Sequence, residues 1–400
     1  MLTTCDSTTI IQENDQFPAL PKRTPSLVKK LLRTFAAPTL AVSLALAVTP
    51  ATIAQAGTAE PASDATVSTL DSAPLRPNGQ AQKWFAIAQK DERVDEVTVH
   101  STSMNRDIPL AVIPATDGAG NRVENAPTIY MLNGAGGAEQ DNDWLSDNPT
   151  TADNIGTVDF YAGKGVNVVI PMAGAFSYYL DWVEEPNGTY LKGPQKWETF
   201  LVNELPGAVE PHLKANDDRG IIGFSMSALP AMLLAEHNPG MYDAVAGFSG
   251  HYQTFSEVDH QLHGLTLNRG GATPRQMLGP AGSPASAAAD AVGNAEGLRG
   301  TAIYASNGSG LASQTDLPGY YIARGANQAA ASSASATLQF EGGVIEAATN
   351  ASTHNLDAKL QSLDIPATFN YRNTGTHSWP SWRSDVRESW PVFEGAFAQK

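Results

Sequence analysis

The chain is nearly free of cysteine: the only one among its 400 residues is Cys5. A disulfide framework and a thiolate zinc site are therefore not expected, and the sequence holds no HExxH pattern of a metal enzyme. Basic residues are also scarce, since 25 Lys and Arg stand against 41 Asp and Glu, giving a formal net charge of −16. This charge repels nucleic acid and anionic lipid head groups and suits a neutral substrate such as a sugar ester. We predict no metal and no other cofactor.

The N-terminal residues 1–56 resemble an export signal. Basic residues at positions 29–33 precede an apolar run from Phe35 to Val48, and the small-x-small pattern Ala54-Gln55-Ala56 follows. A membrane anchor is the alternative, but Pro38 interrupts the run, which is shorter than the ~20 residues that span a bilayer. We therefore expect cleavage near Ala56 and a secreted or envelope-located protein without thiol chemistry.

Composition divides the remainder of the chain into two parts. Residues 57–90 are rich in Ala, Ser, Thr and Pro and are predicted to form a flexible lead-in. Residues 91–400 are predicted to form the catalytic domain, and the 42% hydrophobic and 16% charged residues of the whole chain are values typical of a globular protein. Within this domain, residues 255–335 are weakly patterned and are predicted to be an irregular excursion over the active-site face.

Short apolar segments recur along this domain and alternate with helical stretches. The first two predicted strands form an antiparallel edge, and one amphipathic helix is predicted from Lys196 to near Pro206. Strands that alternate with helices predict a mostly parallel, doubly wound α/β sheet with helices on both faces. The predicted strands are 94–100, 106–113, 127–132, 165–171, 221–224, 244–248, 301–306 and 366–371.

The run Gly223-Phe224-Ser225-Met226-Ser227 lies between an apolar strand and a helix-like stretch that continues to His237. A serine at a sharp strand-to-helix turn is held proud of the sheet, and small residues beside it let the strand and the helix approach closely. Backbone N–H groups at the start of the helix favour negative charge there. The pattern predicts that Ser225 is the nucleophile of an acyl-transferring serine enzyme.

A glycine-rich loop, Asn133-Gly134-Ala135-Gly136-Gly137, follows the predicted strand 127–132. Glycine lets backbone N–H groups turn inward, as an oxyanion hole after the third strand requires. An ordinary glycine-rich loop is the plain alternative. A phosphate-binding loop fits less well, because the Lys-Ser/Thr of a P-loop is missing.

A serine hydroxyl needs a base beside it at neutral pH, and we expect a histidine on the loop after the last strand. His377 has that position in the sequence. His237 lies at a helix end and is expected to cap that helix. His251, His260 and His263 are the rival bases.

A carboxylate that orients the histidine is expected between the strand 301–306 and His377. Spacing alone does not choose among five candidates, and most of them are expected to be solvated surface charges. The candidates are Asp316, Glu341, Glu346, Asp357 and Asp364.

Six stretches together resemble the antigen 85 / mycolyltransferase family of α/β-hydrolases, and the combination is more specific than any one motif. They are LNGAGG at 132–137, PMAGAFSYYLDW at 171–182, KWETFLVNELP at 196–206, GFSMSA at 223–228, AGFSG at 246–250 and GTHSWPSW at 375–382. The resemblance implies an α/β-hydrolase fold and a serine acyltransferase. Such an enzyme moves a mycolic acyl chain from trehalose monomycolate to a second trehalose ester, to arabinogalactan or to a protein hydroxyl.

Carried over to this chain, the family pattern makes Ser225 the nucleophile and His377 the general base. The family acid is a glutamate on a helix before the last strand. The stretch 343–348 matches that helix best, so the resemblance implies Glu346 as the acid, with Glu341 in reserve.

The same resemblance implies that the backbone N–H groups of Met226 and Ala135 form the oxyanion hole. Ser378 and Trp379 are placed beside the substrate, and a core or rim aromatic is the alternative for Trp379. Asn133 stands where antigen 85 proteins have the aspartate that holds the sugar, and its amide can still hydrogen-bond a hydroxyl. The loop is closer to the branch of the family with NGAGG.

Two other functions stay open at this point: a secreted carboxylesterase of the same fold, and a non-catalytic envelope protein that binds glycolipid. The predicted partners are a glycolipid substrate, a hydroxyl acceptor and the lipid surface of the outer envelope.

Overall fold

The computed structural model describes residues 66–146, 150–151 and 154–398. The predicted signal sequence and the first residues of the predicted lead-in lie outside this part of the chain. Within it, the central sheet has nine strands: β1 Val67–Thr69, β2 Asp95–Ser101, β3 Arg106–Ile113, β4 Thr128–Met131, β5 Asn167–Pro171, β6 Arg219–Phe224, β7 Ala244–Phe248, β8 Ala302–Asn307 and β9 Thr368–Tyr371. A separate antiparallel pair joins Thr150–Thr151 to Asn154–Ile155.

The strand order is β1-β2-β3-β5-β4-β6-β7-β8-β9. The first three pairings are antiparallel, and the other five are parallel. In the parallel part, Phe224 of β6 lies opposite Phe248 of β7. The predicted antiparallel edge and mostly parallel sheet are confirmed. All parallel strands therefore end at one edge, where side chains from distant parts of the sequence can meet.

Helices cover both faces of the sheet. They are α1 Lys83–Ala88, α2 Thr157–Tyr161, α3 Trp197–Thr199, α4 Leu205–Leu213, α5 Ala228–His237, α6 Glu257–Gly270, α7 Pro274–Leu278, α8 Pro284–Ala288, α9 Ala291–Asn294, α10 Pro318–Ile322, α11 Gln328–Thr337, α12 Gly343–Ser362 and α13 Trp379–Phe397. Tighter 3₁₀ turns span Ala138–Gln140, Ser225–Ser227, Ala295–Leu298 and Gln314–Asp316, and wider π turns span Phe200–Glu204 and Leu338–Gly342.

The core has two apolar layers, one on each face of the sheet. Alternate residues of one strand enter different layers: Ile221 packs with α5, whereas Ile222 packs with α13. Both side chains are fully buried. This arrangement explains why the parallel strands are apolar at every position rather than at every second one.

Residues 66–90 differ from the predicted flexible lead-in. β1 pairs with β2, and α1 buries Trp84 and Phe85 in the core layer that also contains α13. Burial of such a side chain contributes about 1.5–3 kcal/mol to the stability of the fold. This segment, residues 66–90, is called the N-terminal strap below.

Two further expectations are wrong in part. Residues 255–335 are not irregular, because they form helices α6 to α11 and contribute β8 to the sheet. The helix predicted to end near Pro206 continues to Leu213. A π turn ends its first part, and Pro206 lies in the first turn of the helical segment that follows. A proline there needs no acceptor for a backbone N–H group.

Candidate active site

Ser225 is the first residue after β6 and has a backbone φ of 54°. This left-handed conformation strains a residue other than glycine and turns the serine out of the line of the strand. The turn leads directly into α5. Gly223 is required for so sharp a bend, because a Cβ at this position would lie 2.0 Å from the backbone carbonyl oxygen of Ser227.

Ser227 fixes the turn from within the protein. Its fully buried hydroxyl accepts the N–H of Phe224 at 2.9 Å and lies 3.1 Å from the carbonyl oxygen of Leu132. Leu132 directly follows β4, so this side chain ties the serine turn to the start of the glycine-rich loop. The sequence predicts only a small residue here and not these hydrogen bonds.

His377 reaches Ser225 from the loop after β9. Its Nε2 lies 2.7 Å from Ser225 Oγ, and its Nδ1 lies 2.8 Å from Glu346 Oε2. An ionised carboxylate can only accept, so Nδ1 carries the proton on that side of the ring. Nε2 is then free to accept the proton of the serine hydroxyl.

Glu346 lies in the first turn of α12 and is fully buried. Its second oxygen, Oε1, accepts hydrogen bonds from Ser249 Oγ at 2.9 Å and from the N–H of Gly308 at 2.6 Å. These bonds offset the cost of burying the charge. Ser249 and Gly308 follow β7 and β8, so neighbouring strand ends position the carboxylate. The AGFSG motif contains Ser249, but the sequence does not indicate its contact with Glu346.

Of the five candidate carboxylates, all in the described part of the chain, only Glu346 contacts His377. Glu341 is exposed and lines the cavity. Asp357 accepts a hydrogen bond from Tyr371 at 3.1 Å, and Asp364 lies on an exposed turn after α12. Asp316 contacts the neighbours of His377 rather than the imidazole.

The two predicted oxyanion donors lie beside the serine. Met226 is the second residue of the turn that begins at Ser225, where backbone N–H groups have no acceptor within the helix. Ala135 and Met226 line the same cavity as Ser225. Gly134 permits the close approach of the loop, because a Cβ there would lie 2.6 Å from the ring of Phe224. Both oxyanion roles stay predictions.

Comparison with known proteins places these elements in a family. A model of the putative esterase family matches residues 101–391, a range that includes the serine turn, α12 and the His377 loop.

The chain belongs to this esterase family.

Named relatives agree with this assignment. The diacylglycerol acyltransferase/mycolyltransferase Ag85B of Mycobacterium avium is 26% identical over 324 residues, which are 79% of this chain and 87% of the relative. Ag85A of Mycobacterium leprae is 28% identical over 302 residues, 74% of this chain and 82% of the relative. The predicted resemblance to the antigen 85 proteins and the predicted class of enzyme, an esterase or acyltransferase, are confirmed.

A solved structure supports the fold alone. The crystal structure of Mycobacterium tuberculosis MPT51 (FbpC1) superposes with a TM-score of 0.58 at 19% identity, covering 76% of this chain and 99% of that chain. The predicted α/β-hydrolase fold is confirmed.

In this esterase the serine turn opens into a cavity of about 1120 Å³. Tyr178, Leu262 and Leu338 contribute to a largely apolar wall. At the rim, Val344 is 69% exposed and Ile345 is 42% exposed. A cavity of this size and character accommodates an aliphatic chain as well as the ester that the serine attacks.

The structure corrects the predicted sugar contact of Asn133. This side chain is fully buried: its amide donates to the carbonyl of Pro171 at 2.9 Å and its Oδ1 accepts the N–H of Trp144 at 3.1 Å. It does not line the cavity and holds the glycine-rich loop in place instead. Trp379 does line the cavity, and its indole donates to Asn142 Oδ1 at 2.6 Å.

Ser378 also borders the cavity, but its hydroxyl donates to Asp316 at 3.1 Å. The hydroxyl then meets a substrate only as an acceptor, through its lone pairs. The substrate contacts of Ser378 and Trp379 stay predictions.

The rival histidines bond elsewhere. His251 Nε2 lies 2.9 Å from Asp259, and His260 Nε2 lies 3.3 Å from Ser286. His263 Nε2 donates to the carbonyl of Gln253 at 2.8 Å, and burial lowers the pKa of His263 to about 3. A histidine held neutral in this way packs as part of the wall.

His237 lies in the last turn of α5 and bridges Glu198 at 2.8 Å and the carbonyl of Ala288 at 2.9 Å. The hydrogen bond with Glu198 raises the pKa of His237. Its role is to join helices.

Two features are absent from the part of the chain that the structure describes. No group of three or more His, Cys, Asp or Glu side chains there is arranged to hold a metal ion. No helix in that part of the chain combines the length and apolar character needed to cross a bilayer.

Proposed function

We propose that this esterase is a serine acyltransferase that moves a mycolic acyl chain from trehalose monomycolate to a hydroxyl acceptor. The acceptor is a second trehalose monomycolate, arabinogalactan or a protein. The observation that carries the proposal is the hydrogen-bonded chain Ser225–His377–Glu346 at the edge of the large apolar cavity. The names of the antigen 85 relatives, which are mycolyltransferases, supply the class of acyl group, and the donor is the one that the sequence resemblance implies.

In the first step, Ser225 Oγ attacks the ester carbonyl while His377 Nε2 takes its proton over 2.7 Å. Glu346 stabilises the imidazolium that forms. The backbone N–H groups of Met226 and Ala135 bind the oxyanion, and His377 then protonates the departing trehalose oxygen. The acyl group is left as an ester on Ser225.

In the second step, the acceptor hydroxyl gives its proton to His377 and attacks the acyl ester; the bond between the acyl carbon and Ser225 Oγ breaks, and His377 returns the proton to Ser225 Oγ. Transfer exceeds hydrolysis when this hydroxyl reaches the ester before water does. An acyl chain that fills the apolar cavity limits the space for water beside Ser225. The exposed Val344 and Ile345 at the rim fit contact with the envelope lipid from which the donor comes. Export through the N-terminal signal would deliver the protein there.

The test is a product assay with purified protein and trehalose monomycolate. We expect trehalose dimycolate and free trehalose, and no product from Ser225→Ala. Free mycolic acid, with no acyl transfer to a second trehalose monomycolate or to added arabinogalactan or protein acceptor, would instead identify a carboxylesterase, an activity that the esterase family also allows.

A covalent phosphonate probe separates both enzymes from a glycolipid-binding protein without activity. We expect wild-type protein to be labelled at Ser225 and Ser225→Ala to remain unlabelled. An unlabelled wild-type protein that still binds glycolipid would overturn the catalytic proposal.

A further inference from the structure

A second buried carboxylate lies close to His377, and the mechanism above does not use it. Asp316 ends the 3₁₀ turn Gln314–Asp316 and is fully buried. Within the described residues, its carboxylate forms no ion pair with a Lys, Arg or His side chain. A buried charge without a counter-ion needs hydrogen bonds to offset its desolvation.

These hydrogen bonds come from both neighbours of the histidine. Oδ1 accepts the hydroxyls of Thr376 at 2.8 Å and Ser378 at 3.1 Å, and Oδ2 accepts the N–H of Thr376 at 3.2 Å. Oδ2 also accepts the N–H and the hydroxyl of Ser313, each at 2.8 Å. Asp316 therefore holds the chain immediately before and after His377.

Asp316 belongs to the segment 309–342, called the cover segment here. This segment contains α10 and α11 and contributes Tyr320, Tyr321, Leu338 and Glu341 to the cavity wall. Helix α11 is tied to the same place, because Ser335 Oγ donates to the carbonyl oxygen of Asp316 at 2.6 Å.

Backbone hydrogen bonds join the cover segment to the His377 loop, residues 373–378. The N–H of Gly310 donates to the carbonyl of Gly375 at 3.0 Å, and the N–H of Gly375 donates to the carbonyl of Leu311 at 2.6 Å. The N–H of His377 itself donates to the carbonyl of Gly342 at 3.3 Å. The wall of the cavity and the loop of the base are thus one hydrogen-bonded unit.

We infer that Asp316 is a positioning residue: through Thr376 and Ser378 it holds His377 in hydrogen-bonding reach of Ser225, and it makes the cover segment part of the catalytic framework. The inference rests on the proposed role of His377 as the base. A displacement of about 1 Å of a reacting group can cost on the order of 100-fold in rate. Asp316 does not touch the reacting atoms, so its loss should slow acylation without weakening the binding of a short ester.

The test compares rates of Ser225 phosphonylation and kcat and KM for a short p-nitrophenyl ester. We expect Asp316→Ala to lower both the labelling rate and kcat by about 10- to 100-fold, with KM within about twofold of wild type. Asp316→Asn should recover most of the rate, because the hydroxyls of Thr376 and Ser378 can rotate to accept from an amide. Asp357→Asn is the matched control, since Asp357 bonds Tyr371 and not the His377 loop.

Thr376→Val tests the same contact if Asp316→Ala does not fold, because it removes one hydroxyl that Asp316 binds. We expect a smaller fall in the labelling rate, about three- to tenfold, and recovery in Thr376→Ser. Rates within twofold of wild type in folded Asp316→Ala, or in folded Thr376→Val, would overturn the inference. Failure of the wild-type protein to label at Ser225 would instead reject the proposed function, so the two failures are distinct.

Discussion

The substitution Glu346→Gln tests the assigned geometry at a single atom. Oε1 of Glu346 accepts a backbone N–H, that of Gly308, at 2.6 Å, and a backbone N–H cannot reverse its polarity. The glutamine must therefore place its carbonyl oxygen on that side. Its NH₂ group then faces His377 Nδ1 across the present 2.8 Å. Two donors cannot share that position, so the imidazole must present a lone pair at Nδ1.

This change moves the ring proton to Nε2, the nitrogen that faces Ser225 Oγ at 2.7 Å. A protonated Nε2 cannot accept the serine proton. Where a triad carboxylate has been replaced by its amide with the geometry intact, the wrong tautomer lowers kcat by about 10⁴-fold. At about 1.4 kcal/mol per tenfold, we expect a barrier higher by roughly 5 kcal/mol in Glu346→Gln.

The assay is kcat for a short ester, together with the phosphonylation rate and the thermal midpoint. Asp357→Asn, which changes a carboxylate on the same helix but remote from His377, should react like wild type. If folded Glu346→Gln keeps more than about a tenth of the wild-type kcat, Glu346 does not set the tautomer of His377 and the reasoning is refuted.

Four further substitutions test other parts of the structure. Gly223→Ala should slow Ser225 labelling at least 100-fold, since its Cβ would lie 2.0 Å from a backbone oxygen. Gly207→Ala in α4, where a Cβ meets nothing within 4 Å, should instead raise the free energy of unfolding by about 0.5–1 kcal/mol, measured by chemical unfolding. Glu236→Met should raise the free energy of unfolding by about 1–3 kcal/mol at pH 8 and by less at pH 4. Neither carboxylate oxygen of Glu236 has a hydrogen-bond partner among the described residues, and burial raises its pKa well above 4.5, so the stability of wild type falls as pH rises above that value. Asp141→Ala should lower the free energy of unfolding by about 1–3 kcal/mol, because Asp141 binds Arg76 and Lys83 of the N-terminal strap. It should also raise KM for the glycolipid, because the next residue, Asn142, holds Trp379 at the cavity.

Periodicity in the sequence was sufficient to predict β2 to β9 but not β1 or the packing of weakly patterned segments. The predicted strand 127–132 is β4 at Thr128–Met131, and the predicted strand 301–306 is β8 at Ala302–Asn307. The N-terminal strap was missed because its mean composition is polar, whereas its attachment depends on the two aromatic residues of α1. A composition average cannot reveal that two side chains find a site in the core.

The positions of Ser225 and His377 were predictable because each follows a strand of the parallel sheet, although 152 residues separate them. The carboxylate that meets the imidazole was not predictable from spacing, because five carboxylates lie between the strand 301–306 and His377, and only the fold shows that Glu346 of α12 reaches the ring. Only the family resemblance indicated Glu346. The distinction between Glu346 and Asp316 is likewise one of geometry: both are fully buried near the His377 loop, but one meets the imidazole and the other its backbone neighbours.

The error at Asn133 follows from the same limit and narrows the search for the sugar site. A polar residue at a strand end can turn toward the cavity or back into the fold, and the sequence is identical in both cases. Here the amide satisfies two buried backbone groups, those of Pro171 and Trp144, which would otherwise lose their hydrogen bonds. A sugar contact at Asn133 would leave both unpaired at a cost of about 1–3 kcal/mol each. We therefore expect the sugar in the proposed reaction to be recognised by other groups that line the cavity, such as Trp379 and its partner Asn142.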